Sequence, residues 1–144
     1  MTLQTILLTA HSWIRWLALL AAAAALIRYV LGWLQGHEFD GLARGLMAAY
    51  SGLLDLNALI GLIQLIAFWG DYSAIAGGFP RTQIEHFTTL LIAVIVAHLP
   101  ARLWQDKPAA VRYRNGALAI LASLVLIIVG ITVLAGNRWV FRGL

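Results

Sequence analysis

The stretch NGALAILASLVLIIVGITVLA, residues 115–135, decides the fold class because it contains no charged side chain. A helix needs about 20 mostly apolar residues to cross the hydrocarbon core of a bilayer. Over all 144 residues, 62% are hydrophobic and 11% are charged, with a mean hydropathy of +0.86. An average soluble domain has about 45–50% apolar and about 25% charged residues. This composition excludes a soluble enzyme, a disordered segment and a disulfide scaffold.

Three similar apolar stretches precede this one, at residues 3–34, 45–69 and 81–103. Glycines and Pro80 interrupt the chain between the second and third stretches, so a loop is expected over residues 70–80. Tryptophan favours the headgroup level, and the six tryptophans mark the ends of these stretches: Trp13, Trp16, Trp33, Trp69, Trp104 and Trp139. The sequence therefore predicts an all-α, single-domain, integral membrane four-helix bundle with up-down-up-down topology.

The basic residues predict how the bundle is oriented. Cytoplasmic loops of membrane proteins carry an excess of Lys and Arg. One side of the predicted bundle has six: Arg28, Arg44, Arg102, Lys107, Arg112 and Arg114. The other side has three, Arg81, Arg138 and Arg142, with Arg15 deeper in the membrane. We therefore expect both termini outside the cytoplasm. The same bias explains the net charge of +4 without a nucleic-acid partner.

Polar residues inside the apolar spans are costly and tend to carry function. His11 and Arg15 share one face of the first span, which continues through Ala18, Ala22 and Ala25. His86 opens a similar face on the third span, which continues through Thr89, Ala93 and Ala97. With alternating spans, the two histidines lie near the same outer surface. Small residues beside them indicate close contact with another helix or with a flat cofactor.

Two interpretations of these residues stay open. His11 and His86 are candidate axial ligands of one iron, as the ligands of a b-type haem in a four-helix bundle. Glu85 or Gln64 would then accept the second ring N–H, and Arg15 would bind a haem propionate or Glu85. Alternatively, the same His, carboxylate and Arg groups only hold the helices together. The chain has no cysteine, which excludes thiolate metal sites.

Asp55, near the middle of the second span, is the most costly residue if it is ionised. Its candidate partners are Arg28, Tyr29 and His98. One interpretation is a proton path or a quinone contact, and the other is a neutral or paired structural carboxylate. His98 lies about 18 Å along the helix axis from His86, so the two cannot bind one metal ion.

Four short motifs follow one another along the chain: His11-Ser12-Trp13-Ile14-Arg15-Trp16, Ile60-Gly61-Leu62, Arg81 to Glu85-His86, and Trp139-Val140-Phe141-Arg142. In this order they resemble a family of small bacterial four-helix membrane proteins labelled cytochrome b-like. The resemblance implies a b-type haem, with His11 and His86 as ligands, in the bacterial inner membrane. The chain departs from the family pattern at Asp55, where relatives often have a histidine, and at Arg138, where a proline is usual. The first departure argues against a second haem.

Two functions follow as expectations. The first is a one-haem membrane protein that transfers electrons near the outer surface, with a quinone or other subunits of an electron-transfer complex as partners. The second is a cofactor-free accessory subunit of a larger respiratory or photosynthetic complex, whose charge-free fourth span faces lipid or a partner equally well. A small transporter or quinone-binding protein that uses Asp55 is a weaker third. No catalytic residue for a substrate reaction is expected.

Overall fold

The computed structural model describes residues 2–134, which form five α-helices and no strand. In chain order they are α1 (Leu3–Leu34), α2 (Gly41–Ala67), α3 (Trp69–Ala76), α4 (Arg81–Leu103) and α5 (Ala109–Thr132). Within the described residues, α1, α2, α4 and α5 are long and apolar enough to cross a membrane. The chain therefore has the pattern of a multi-pass membrane protein.

The helix boundaries follow local signals that hydropathy does not detect. α1 and α4 have the predicted bounds, but α2 begins earlier because Asp40 caps it, with its carboxylate accepting from the Ala43 N–H at 2.8 Å. α5 also begins earlier, directly after Pro108. The predicted loop over residues 70–80 contains the unpredicted α3, which ends at Gly77 in the left-handed conformation (φ 68°). Ala135, Arg138, Trp139 and Arg142 lie outside the described residues.

The four long helices pack side by side as a bundle. α1 packs against α2 and α5, and α4 packs against the same two helices, so α1 and α4 occupy opposite corners. Small buried residues form much of the core and let the backbones approach closely: Ala18, Ala22 and Ala25 on α1, and Ala93 and Ala97 on α4. α5 has nine buried residues, more than any other helix. Its other face, which includes Leu118, Val125 and Ile128, is exposed, so the expectation that the charge-free span faces lipid or a partner stays a prediction.

A buried hydrogen-bond chain joins three helices at the centre of the bundle. Ser123 of α5 donates to the carbonyl oxygen of Ala93 of α4 at 2.9 Å. Because this uses the only hydroxyl proton of Ser123, Tyr50 of α2 is the donor in its 2.7 Å hydrogen bond with Ser123 Oγ. Both side chains are fully buried, so each hydroxyl group needs the other as its hydrogen-bond partner.

One end of the bundle, which we call the tyrosine half, is packed around Tyr29 of α1 and Tyr113 of α5. Each ring lies against a glycine of the other helix, Tyr29 on Gly116 and Tyr113 on Gly32. A Cβ atom added at Gly116 would overlap the Tyr29 ring, and one at Gly32 would lie 2.5 Å from the Tyr113 ring. The two rings also contact each other edge to face, with centroids 5.6 Å apart. This reciprocal packing fixes α1 against α5.

Candidate functional site

The other end of the bundle, which we call the histidine half, brings together His11 of α1 and His86 of α4. Their ring centroids are 6.4 Å apart, and the ring planes are inclined at 69°. The helices that carry them occupy opposite corners of the bundle, so the two rings face each other across its centre. This is the close approach that the sequence predicts.

Backbone carbonyls hold both imidazole rings. His11 Nδ1 donates to the carbonyl oxygen of Asn57 at 3.1 Å, and His86 Nδ1 donates to that of Gly130 at 2.6 Å. A carbonyl oxygen only accepts, so in each neutral ring the proton is on Nδ1 and the lone pair is on Nε2. The expectation that Glu85 or Gln64 accepts a ring N–H is wrong. The acceptors lie on helix backbones, where no side-chain pattern in the sequence marks them.

Two glycines make room for these hydrogen bonds. A Cβ atom at Gly61 would lie 3.3 Å from His11 Cε1, which is tighter than ordinary packing. One at Gly130 would overlap Leu90, which lies one turn after His86 on α4. Gly61 belongs to the Ile60-Gly61-Leu62 motif, whereas nothing in the sequence singled out Gly130. Both glycines allow neighbouring helices to approach the histidines closely.

Free volume surrounds the histidine pair in two lobes. The first lobe has about 100 Å³ and extends toward α5 along Ser12, Arg15 and Ile127. The second has about 170 Å³ and extends toward α2 and the start of α4 along Gly61, Gln64, Tyr72 and Gln83. Seven residues line both lobes: Leu8, His11, Leu54, Asn57, His86, Leu90 and Leu134. The lobes therefore meet at the histidines, and most of their walls are apolar.

The other predicted site residues lie around this cavity with different partners. Arg15 lines the first lobe, donates to Ser12 Oγ at 3.4 Å and stacks over the Trp16 ring. Gln64 donates to the carbonyl oxygen of Leu7 at 3.2 Å and so ties α2 to α1. Glu85 forms an exposed ion pair with Arg81 at 2.6 Å, one turn away on α4. Glu85 therefore lies beside His86 in the chain but lines neither lobe of the cavity.

Asp55 pairs with His98, one of its three predicted partners. Their closest atoms, Asp55 Oδ2 and His98 Nε2, are 3.3 Å apart, with 51% and 38% of the side chains exposed. Arg28 instead pairs with Asp40 at 2.6 Å. The Asp55–His98 pair joins α2 to α4 on the outside of the bundle. Polar groups in membrane helices tend to face the bundle interior, so this pair is an exception.

The side-chain amide of Asn57 is buried in the histidine half. Asn57 is 8% exposed and lines both lobes, and its side-chain Oδ1 has no hydrogen-bond partner among the described residues. Within residues 2–134, no group of three or more His, Cys, Asp or Glu side chains is arranged to hold a metal ion. A metal held here would depend on His11 and His86.

Comparison of the chain with protein-family models, with curated proteins and with solved structures found no match.

Proposed function

We propose that this protein is an up-down-up-down membrane bundle that holds one b-type haem between His11 and His86 for electron transfer. One observation carries the proposal: two neutral imidazoles face each other across the bundle, each fixed by a backbone carbonyl on Nδ1. Metal-binding histidines commonly donate their second ring N–H to such an acceptor, which fixes the tautomer and orients the ring. A b-type haem, when bound, supplies one-electron transfer.

The separation of the rings fits two ligands on one metal ion. Histidine nitrogens bind a metal ion at about 2.0–2.1 Å, so two rings whose centroids are about 6 Å apart could hold one ion between them. The observed separation is 6.4 Å. Arg15, on the wall of the first lobe, supplies a guanidinium that can pair with a propionate. His11 and His86 would be the ligands, and Arg15 would bind the periphery.

The cavity lies beside the two proposed ligands, but its volume is small for a haem. Lobes of about 100 and 170 Å³ lie on both sides of the histidines, whereas ligand pockets usually have about 300–1,000 Å³. A macrocycle therefore requires the leucines that line both lobes to adopt other rotamers: Leu8, Leu54, Leu90 and Leu134. Leucine side chains have several staggered rotamers available. His11 and His86 would hold the haem without being reoriented, since backbone carbonyls already fix both rings.

The proposed location is the bacterial inner membrane with both termini outside the cytoplasm. The bias of six basic residues against three supports this orientation, as does the resemblance to cytochrome b-like proteins. Arg28 and Arg112 both lie at the tyrosine half, where they stack over Tyr113 and Phe39. The tyrosine half would therefore face the cytoplasm, and the histidine half would lie near the outer surface. The electron-transfer partner would be a quinone or another membrane subunit.

An optical spectrum tests the haem proposal. Protein purified from haem-replete cells should give a reduced-minus-oxidised difference in the Soret and α-bands. His11→Ala and His86→Ala should each remove nearly all of this difference spectrum, because the proposed haem site needs both imidazoles. The chain offers two matched controls, His37→Ala and His98→Ala, which should keep the spectrum because both residues lie outside the cavity lining.

A colourless protein with full helical content would overturn the haem proposal. The function to test next would then be the cofactor-free accessory subunit, by co-purification of a respiratory or photosynthetic complex in mild detergent. A spectrum that survives both histidine substitutions would also overturn it, since the iron would then have other ligands.

A further inference from the structure

Two arginines of the tyrosine half lie over aromatic rings, but only one of them has an anionic partner. Arg28 of α1 lies over the Tyr113 ring, with its guanidinium carbon 5.2 Å from the ring centroid, and forms an ion pair with Asp40 at 2.6 Å. Arg112 of α5 lies over the Phe39 ring at 3.6 Å. In the described part of the chain, no carboxylate or other hydrogen-bond acceptor contacts its guanidinium. Arg112 therefore lacks the kind of partner that Arg28 has.

The aromatic contact holds the Arg112 guanidinium in place. At 3.6 Å from the ring centroid, the guanidinium lies flat on Phe39. The ring covers one face of the group, whereas the N–H donors of a guanidinium lie in its plane and point outward from its edge. Phe39 is itself packed against Tyr29 and Tyr113, with ring centroids 5.8 and 4.9 Å away. Because an ordered side chain loses little freedom on binding, Arg112 is prepared to bind an anion.

Arg112 lies at the depth of the lipid headgroups. It stands three residues before the charge-free stretch 115–135, and the hydrocarbon core of a bilayer ends where such an apolar stretch ends. Trp33 and Trp104 stand at the same end of the bundle, and tryptophan favours the headgroup level. The phosphate groups of phospholipids therefore lie at the level of the Arg112 side chain.

Positive charge exceeds negative charge at this end of the bundle. The basic residues here are Arg28, Arg44, Arg102, Lys107, Arg112 and Arg114. The acidic residues here are Glu38, Asp40 and Asp106. Asp40 is paired with Arg28, whereas the other two acidic residues are exposed and form no ion pair among residues 2–134. Clusters of Lys and Arg beside a membrane span attract anionic lipids.

We propose that Arg112 binds the phosphate group of an anionic phospholipid, such as phosphatidylglycerol, beside Phe39 at this end of the bundle. Paired N–H groups on the edge of a guanidinium match two phosphate oxygens, and such charge-assisted hydrogen bonds are strong. The neighbouring cations favour a headgroup with a net negative charge over a zwitterionic one. A free phosphate ion has the same chemistry, but only a lipid keeps its phosphate at this depth. Neither haem binding nor the orientation of the bundle bears on this site.

Native mass spectrometry tests the site, because it resolves each lipid bound to the full-length protein in detergent and gives the Kd of the first. Phosphatidylglycerol is compared with phosphatidylcholine of the same acyl chains. In about 0.5 M ammonium acetate the Debye length is about 4 Å, so exposed charges are screened. Phosphatidylglycerol should bind more tightly. Arg112→Gln should raise its Kd about fivefold, the effect expected of one basic residue at an anionic lipid.

Two matched variants separate the Arg112 contact from general attraction by charge. Arg114→Gln removes the same charge from an exposed residue of the same helix and should change the Kd by less than about twofold, because salt screens that charge. Arg112→Lys keeps the charge but loses the planar set of donors, so it should raise the Kd by more than about twofold. Circular dichroism shows that each variant is folded.

Equal effects of Arg112→Gln and Arg114→Gln, an unchanged Kd in Arg112→Lys, or equal affinity for both lipids would overturn the proposal, since the attraction would then be diffuse. A competition experiment distinguishes the source of the phosphate. Millimolar inorganic phosphate, at the same ionic strength, should leave the bound lipid in place. Displacement of the lipid would also overturn the proposal, because free phosphate would then be the ligand of Arg112.

Discussion

The tyrosine half and the histidine half place polar rings beside glycines in two different ways. Tyr29 and Tyr113 fill the spaces left by Gly116 and Gly32. His11 and His86 are instead held at Nδ1 by backbone carbonyls, with Gly61 at contact distance and free volume beside them. A ring that fills the glycine gap produces a structural lock. Hydrogen bonds to backbone carbonyls fix the orientation of the histidine rings without filling the space beside them.

The largest effect is expected when the lock of the tyrosine half is broken. Gly116→Ala places a methyl group within the Tyr29 ring and should destabilise the bundle by about 3 kcal/mol, the upper end of the usual range for overpacking. The measurement is unfolding by SDS in mixed micelles, followed by circular dichroism.

Two alanine substitutions serve as controls for this prediction. Gly61→Ala in the histidine half should cost clearly less, because its Cβ would only touch the edge of His11 at 3.3 Å. Gly41→Ala, where nothing lies within 4 Å, should be neutral or stabilising. If all three substitutions have the same effect on stability, the space around each glycine does not distinguish the two halves.

An intermediate effect is expected at the hydrogen-bond chain that lies between the halves. Ser123→Ala leaves the buried Tyr50 hydroxyl without its partner and should destabilise the protein by about 1–3 kcal/mol in the same assay. The double variant with Tyr50→Phe should recover part of the loss, because both polar partners are then gone. A double variant that is less stable than Ser123→Ala alone would show that the Tyr50 hydroxyl has another role.

The smallest effect is expected from pH at the loop that closes the tyrosine half. The backbone N–H of Ala43 and the guanidinium of Arg28 lower the pKa of the Asp40 carboxyl below its ordinary value. A lowered pKa in the folded state means that the charged carboxylate stabilises the fold above the ordinary value, about 3.9 for Asp. This stabilisation is lost as the pH falls through the folded-state pKa.

Asp40→Asn measures this contribution. The variant keeps a side chain that can cap α2 but removes the charge. Its Tm should be lower than that of the unchanged protein at neutral pH, and the difference should shrink as the pH is lowered toward about 3. The titration of the histidines is common to both proteins and cancels in the comparison. A Tm difference that does not vary with pH would contradict the assignment of the Asp40–Arg28 ion pair.

Hydropathy predicted the end of α1, which lies just before Gly36, and both bounds of α4, which lies between Pro80 and the polar linker from Gln105 to Pro108. It misplaced the start of α5, since Arg112 and Arg114 end the apolar run although the helix continues back to Ala109. It also missed α3, whose eight residues include Gly70 and Asp71 and bury nothing. Charged residues mark where an apolar span ends. The helix itself begins where a capping side chain accepts its first N–H groups, or directly after a proline.

The sequence also predicted part of the candidate site. Chain alternation and the positions of His11 and His86 along their spans were sufficient to predict that the rings are close. The partners of the rings were not predictable, because Asn57 and Gly130 contribute carbonyl oxygens, which every residue has. Asp55 was recognised as unusual, but its position on the outside with His98 depends on the rotation of α2 in the bundle.

The sequence by itself determined four apolar helices and a short set of polar residues within them, because the cost of polar groups in hydrocarbon acts on each residue separately. Only the tertiary structure decided which ring fills a glycine gap, which ring is held by a carbonyl, and which glycines remain uncovered. These outcomes depend on how the helices are rotated and spaced relative to one another. Helix rotation and spacing result from the packing of all the side chains together, and no local stretch of sequence encodes them.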